Sequence, residues 1–205
     1  MKKIGLISDP HATLAPLAEA LALFRQKNVD MIWCTGDVVG YGEALDDSVS
    51  LLQEYGCRTI CGNHEQWYLD KVTENANLNT VQYIKSLPQV IEENVAGKQL
   101  YMVHASPPLS TTNGIRLLDL QGSIIAGEQQ RWMELLSGFE ADVLIVGHTH
   151  QVFAEQLGQT LVINPGSCRF NHSCAILVLP ELDVEWFSLS GEDIRPAWNW
   201  GSEML

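Results

Sequence analysis

The sequence predicts an α/β fold in which two mixed β-sheets pack together with helices outside them, and three observations carry that prediction. Residues 4–61 alternate short apolar runs with segments of helical period, the pattern of β-α-β units. From Val90 onward the pattern changes to closely spaced strands separated by Gly and Pro turns, which brings in antiparallel pairing. Five of the apolar runs end in a short polar cluster: Asp9-Pro10-His11, Gly36-Asp37, Gly62-Asn63-His64-Glu65, Val103-His104 and Gly147-His148-Thr149-His150.

In chain order, Ile4 to Ser8 reads as a buried strand. Leu14 to Gln26 has Leu14, Leu17, Ala18, Leu21 and Phe24 on one helical face. Met31 to Thr35 is a second strand, Leu45 to Tyr55 a second helix and Thr59-Ile60-Cys61 a third strand. A β-α-β-α-β start builds a parallel sheet whose carboxyl-end loops open on one crevice. Residues 65–87 read as mainly helical, with Trp67, Tyr68, Leu69, Val81, Tyr83, Ile84 and Leu87 expected to be buried and Pro88 ending the stretch. Val90 to Val95 and Leu100 to Val103 form a hairpin across Ala96-Gly97-Lys98. Residues 106–125, with Pro107-Pro108 and many Ser and Thr, are a long loop, and loops of this length beside a site are usually functional.

A helix at Gln129 to Leu136 leads into the strand Val143 to Val146. Strands follow at Val152 to Gln156, Leu161 to Ile163, Ala175 to Leu179 and Val184 to Ser188, with Gly158 and Pro180 at turns. No linker or repeat divides the chain, so residues 1–205 are read as one domain. The tail 191–205, with Trp198 and Trp200, either frays or packs against a partner chain, which leaves a homo-oligomer open.

Composition narrows the function classes. A hydrophobic share of 46% against 18% charged residues excludes a disordered chain. The longest apolar runs, such as Val143 to Val146 and Cys174 to Leu179, are too short to span a bilayer. Met1-Lys2-Lys3 passes straight into a strand without a signal-peptide core, so a cytoplasmic location is expected. The five cysteines lack a paired C-x-x-C spacing and are expected to be unpaired core residues, with Cys168, beside Gly166-Ser167, placed to border a site. A net charge of −13 with 12 scattered Lys and Arg argues against stable nucleic-acid binding. A phosphate ester remains compatible, because bound divalent cations invert the local field.

Alternate residues of an extended segment share a face, so Asp9 with His11, and His148 with His150, can each reach one cation. Asn63 adds a neutral amide oxygen, and Gly62 and Gly147 remove bulk beside their clusters. Taken alone, His104 reads as a core histidine and Gly36-Asp37 as a turn. Jointly the pattern is different, since five of the six histidines fall at strand ends and only His172 stands outside, as a loop residue. Two Asp, one Asn and five His can hold two metal ions about 3.5–4 Å apart, the spacing that serves in-line displacement at phosphorus.

This series of motifs resembles the calcineurin-like metallophosphoesterase superfamily over residues 4 to about 167. Gly36-Asp37-Val38-Val39-Gly40-Tyr41-Gly42 and Ile163-Asn164-Pro165-Gly166-Ser167 further resemble its small prokaryotic phosphodiesterase-like branch. The resemblance implies a four-layer α-β-β-α sandwich. It implies that Asp9, His11 and His150 hold one metal, that Asp37 bridges, and that Asn63, His104 and His148 complete the second. His64 is then left beside the phosphate, as a hydrogen-bond donor or as general acid for the leaving alkoxide. The implied activity is hydrolysis of a small-molecule or nucleotide phosphodiester by in-line attack of a metal-bridging hydroxide. Phosphomonoesterase and phosphoprotein phosphatase are the alternatives. A non-catalytic scaffold of this fold is disfavoured because every proposed ligand, and His64, is present.

The mixed imidazole and carboxylate set suits manganese first, and also iron, zinc, cobalt or nickel. Three departures from the family pattern stand out: Glu65 where Asp is usual, Ala12 where Gly or Asn is common, and no Arg in Val39-Gly40-Tyr41-Gly42. The protein phosphatases and dinucleoside polyphosphate hydrolases of the family grip phosphate with an Arg there. Arg116 or Arg169 is the substitute from later loops, and Arg169 is taken with Asn63 and His64 as the substrate-binding set.

Overall fold

A computed structural model describes residues 1–198. The strands are β1 (Lys2–Ile7), β2 (Met31–Cys34), β3 (Arg58–Thr59), β4 (Val90–Val95), β5 (Lys98–Val103), β6 (Val143–Ile145), β7 (Val152–Leu157), β8 (Thr160–Pro165), β9 (Ser173–Leu179) and β10 (Asp183–Ser188). The helices are α1 (Leu14–Gln26), α2 (Leu45–Glu54), α3 (Asn63–Lys71), α4 (Leu78–Ser86) and α5 (Ala126–Leu135).

Two five-stranded mixed sheets form, in the orders β10-β9-β1-β2-β3 and β4-β5-β6-β8-β7. In the first, β1, β2 and β3 are parallel and β9 and β10 antiparallel. In the second, β5, β6 and β8 are parallel and flanked by antiparallel β4 and β7. Strand alternation sorts the apolar side chains into three cores. Ile4, Leu6, Leu100, Met102, Val143, Ile145 and Ile163 meet between the sheets. Ile7, Cys34 and Ile176 face outward onto Leu17, Leu21 and Phe24 of α1 and onto Val49 and Leu52 of α2. Val103, Leu144, Val146 and Val162 pack on Trp132 of α5 and on Ile115 and Leu117 of the long loop. The result is a sandwich with helices on both outer faces, as expected.

Three local expectations change. The Gly62-Asn63-His64-Glu65 cluster is the first turn of α3, and β3 is only two residues long, ending before Ile60 and Cys61. Of the seven residues expected to be buried in 65–87, only Ile84 is fully buried, and Trp67 is 50% exposed. The apolar periodicity was misleading there because α3 lies at the rim of the site and turns Trp67 towards a cavity. Residues 191–198 return to their own chain: the Trp198 ring stacks on Phe170 at 4.0 Å, and Val152 N–H donates to Pro196 O at 2.8 Å. Trp200 lies outside the described residues. All five cysteines are unpaired and Cys168 is buried in the core under α1, and no helix of the described residues is long and apolar enough to cross a membrane.

Candidate metal centre

The five polar clusters follow β1, β2, β3, β5 and β6, so the candidate ligands come from both sheets rather than from one common sheet. The seam between the sheets is where they meet. Hydrogen bonds cross it: His104 Nδ1–H donates to Thr35 O at 2.7 Å, His148 N–H to Asp9 Oδ2 at 3.2 Å, and Ser167 Oγ–H to Asp9 O at 2.6 Å. Asn164 Nδ2 donates to Gly147 O at 3.0 Å and Asn171 Nδ2 to His150 O at 2.9 Å. These contacts give Asn164 and Ser167, with Asn171 after them, a structural role, which is to hold the loops that carry Asp9, His148 and His150.

Three groups of donor side chains have one ligand atom each within 4.8 Å of one another: Asp9 with His11 and His150, His11 with Asp37 and His64, and Asp37 with His104 and His148. Asn63 joins the last group, its Oδ1 lying 3.1 Å from His104 Nε2 and 3.0 Å from His148 Nδ1. His104, Asp9 and His11 are entirely enclosed, and Asp37 and Asn63 nearly so. The backbone is strained to achieve this. Asp9, His11, Asp37, His148 and His150 all have φ between 45° and 63°, in the left-handed region that side chains with Cβ disfavour. Each such residue costs on the order of 1–3 kcal/mol, and such strain persists where the surroundings over-determine it, typically at functional sites.

Two glycines allow the clusters to close up. A Cβ on Gly40, whose φ is 129°, would lie 2.8 Å from the Nδ1 atoms of both His11 and His64, and one on Gly62 would collide with the Asp37 carboxylate. Glu65 takes a part that its place after His64 did not reveal. It is fully buried, its Oε2 accepts from Asp37 N–H at 2.8 Å and Gly62 N–H at 2.7 Å, and its Oε1 accepts from Val39 N–H at 2.9 Å. Both oxygens are thus spent on bracing the loop that carries Asp37, not on orienting the His64 imidazole. Burial, and then the Asp37 charge, push its carboxyl up to about 7 against the pull of those N–H groups.

The donor set fits cations on its own chemistry. His11 Nδ1 bonds to Val39 O at 2.9 Å, as His104 Nδ1 does to Thr35 O, so each ring turns its Nε2 into the cluster. There His11 Nε2 faces His150 Nε2 at 3.2 Å, and Asp9 Oδ1 is buried with no directed hydrogen-bond donor among the described residues, His150 Nε2 lying 3.3 Å away. One proton on His150 Nε2 can serve only one of these two buried acceptors, and an acceptor left unpaired costs about 1–3 kcal/mol unless a cation intervenes.

The ionisation pattern reflects the same crowding. Burial would lower His104, yet the Asp37 carboxylate beside it prevails and lifts its imidazole to about 10. Burial dominates at His11, which falls to about 4, and also lowers His64 and His148. Asp9 is opposed by burial, but its contact with His150 and the nearby His104 and His11 carry it well below the carboxylate range.

A cavity of about 220 Å³ opens beside the cluster, and its lining includes Asp37, His64, Tyr41, Trp67, Arg116 and Trp198. Arg169 is not among the lining residues: its guanidinium donates to Thr13 Oγ1 at 2.6 Å and lies over the Phe170 ring. The cationic side chain at the cavity is Arg116, from the long loop. Sequence reasoning passed over Tyr41, Trp67 and Trp198. Tyr41 sat within the Gly-Asp motif, but no periodic signal marks an aromatic that faces a cavity.

The model of the calcineurin-like phosphoesterase superfamily domain matches residues 1–179. Among curated relatives, an uncharacterised protein of Methanocaldococcus jannaschii is 26% identical over 86% of this chain and 74% of its own length. A protein of the same organism named as a phosphodiesterase is 28% identical over 81% of this chain and 84% of its own. Among solved structures, a hypothetical protein of Pyrococcus horikoshii superposes with a TM-score of 0.71 at 15% identity, covering 92% of this chain and 88% of the other. A metallophosphoesterase of Sphaerobacter thermophilus gives 0.69 at 21% identity over 92% and 88%. These two likenesses concern the fold, and the matched domain spans most of the chain from its first strand to its ninth. The chain therefore belongs to the calcineurin-like phosphoesterase superfamily.

Proposed function

We propose that the protein is a dinuclear metal-dependent phosphoesterase that prefers small-molecule or nucleotide phosphodiesters. The observation that carries this reading is the position of Asp37, which shares one donor group with His11 and His64 and another with His104 and His148, and from there its carboxylate would serve both cations. Asp9, His11 and His150 would hold one divalent transition metal, and Asn63, His104 and His148 the other. Manganese is the first candidate among manganese, iron, zinc, cobalt and nickel. When bound, such cations supply charge against the phosphoryl oxygens and make water more acidic.

The chain's own residues supply the rest. Asp37 and Asn63 border the cavity and set where phosphorus lies, and Glu65 fixes the Asp37 loop through the backbone N–H groups of Asp37 and Val39 while also accepting from Gly62 N–H at the start of its own helix. His64 lines the same cavity with its Nε2 3.9 Å from Asp37 Oδ2, placed to donate a hydrogen bond to phosphate or a proton to the leaving oxygen. The relative named as a phosphodiesterase supports the choice of a diester. Because ligand loops from Asp9 to His150 and the Trp198 ring build one site, we read residues 1–205 as one domain. The five free thiols suit a reducing compartment such as the cytoplasm.

The test is turnover of an aryl phosphodiester, the matching monoester and a phosphopeptide by one metal-loaded sample whose metal content is measured. Diester preference with two metals per chain is expected. Preference for the monoester or the phosphopeptide overturns the substrate assignment, and stoichiometric metal below two per chain overturns the dinuclear one.

A further inference from the structure

Trp67 is the large apolar side chain that the fold leaves half in solvent at the edge of the candidate site, with 50% of its surface exposed. Its position is set by α3. It lies three positions after His64, so both side chains stand on one helix face, and their rings lie 4.8 Å apart at 50°. The helix itself is anchored. Glu65 ties its first turn to the Asp37 loop, and Gln66 accepts a hydrogen bond from Thr111 of the long loop at 3.4 Å. Trp67 is thus an aromatic surface one helical turn beyond the His64 imidazole.

The cavity is larger than a phosphate group needs. Its volume is about 220 Å³. Beyond the polar atoms of Asp37, Asn63, His64, His148, Thr149 and His150, its walls are Trp67, Tyr41 and Trp198, with Arg116 as the cation. Such a wall binds planar π systems with one face on an indole and suits an anion beside a guanidinium.

We propose that Trp67 is a stacking subsite for the leaving-group side of the substrate, so that the preferred substrates carry a nucleobase or an aryl ring next to the scissile phosphodiester. The turnover part of this inference rests on the phosphodiesterase reading above. Its binding part does not.

The experiment compares the parent with Trp67→Ala and Trp67→Phe in two measurements on metal-loaded protein. In turnover, Trp67→Ala is expected to lower kcat/KM about tenfold for a dinucleotide, mainly through KM, the scale of one lost base stack. For a glycerol-based aliphatic diester it should change kcat/KM less than twofold, and Trp67→Phe should keep most of the dinucleotide activity. In calorimetry, the parent should bind a nucleoside 5′-monophosphate about tenfold more tightly than ribose 5-phosphate, and Trp67→Ala should lose that ratio. Equal losses on the aromatic and aliphatic diesters, or an unchanged binding ratio in Trp67→Ala, overturn the subsite. A parent that shows the Trp67-dependent binding ratio but hydrolyses no diester supports the subsite and overturns the proposed function.

Discussion

Replacing Glu65 by Gln isolates the brace under the Asp37 loop. The carboxylate serves three backbone donors, two at Oε2 (2.8 and 2.7 Å) and one at Oε1 (2.9 Å), in a site with no solvent access. An amide has one acceptor oxygen, so in its best orientation it keeps the Asp37 and Gly62 donors and turns an NH2 group against Val39 N–H. A buried donor left unpaired costs about 1–3 kcal/mol, and the two surviving bonds lose charge assistance worth about 1 kcal/mol each. Against this, a neutral side chain is easier to bury than a carboxylate, which offsets part of the loss. The net expectation is a destabilisation of about 2–3 kcal/mol, read as a fall in Tm of about 8 °C for a chain of this size. Thermal and urea unfolding at about pH 9, above the raised Glu65 value of about 7 so that the parent carries the carboxylate, measure it, with the urea m-value unchanged. A Tm within about 1 °C of the parent would refute the brace and with it the account of how Asp37 is positioned.

Other perturbations probe the centre from different sides. Asp37→Asn should lower turnover by at least about a thousandfold and reduce metal content, whereas His64→Asn should keep both metals and lower kcat by about 10²–10⁴. Loss of both metals in the His64 variant, seen by elemental analysis, would reassign that residue as a ligand. His104 is raised to about 10 from 6.5, so its contribution to the metal-free fold is complete below pH 6.5 and is lost as pH rises through about 10. At pH 8 it is protonated in the metal-free chain, and metal uptake should release about one proton from it. Calorimetry in two buffers of different ionisation enthalpy detects this, and zero net release would contradict it. Trp198→Ala removes a side chain 5% exposed and stacked on Phe170, and should cost about 3 kcal/mol of stability in denaturant unfolding.

The fold was largely legible because its period signals are strong. Leu14 to Gln26 stands as read, and the Val90–Val95 hairpin and β6 to β10 differ from expectation by a residue or two at their ends. Donor residues were legible too, since Gly-Asp, Gly-Asn-His and Gly-His-Thr-His after apolar runs are rare combinations. Their grouping within 4.8 Å places them side by side, and their role as ligands remains the proposal. What failed was any inference from burial period at the rim. Trp67 looks like a core residue in sequence, and only the direction of α3 turns it to the cavity. Arg169 and Arg116 are indistinguishable as loop arginines until the long loop is seen to run past His148, so close that a Cβ on Gly114 would lie 2.8 Å from its ring.

By itself the sequence determined the strand and helix order, the two-sheet architecture and the residue types held at the strand ends, because alternation and helical period act over a few residues. Only the tertiary structure decided that those ends belong to two sheets, that five candidate ligands take left-handed backbone, and that Glu65 supports Asp37 instead of His64. Those features arise from contacts between segments far apart in the chain, whose packing imposes conformations that no local preference would choose.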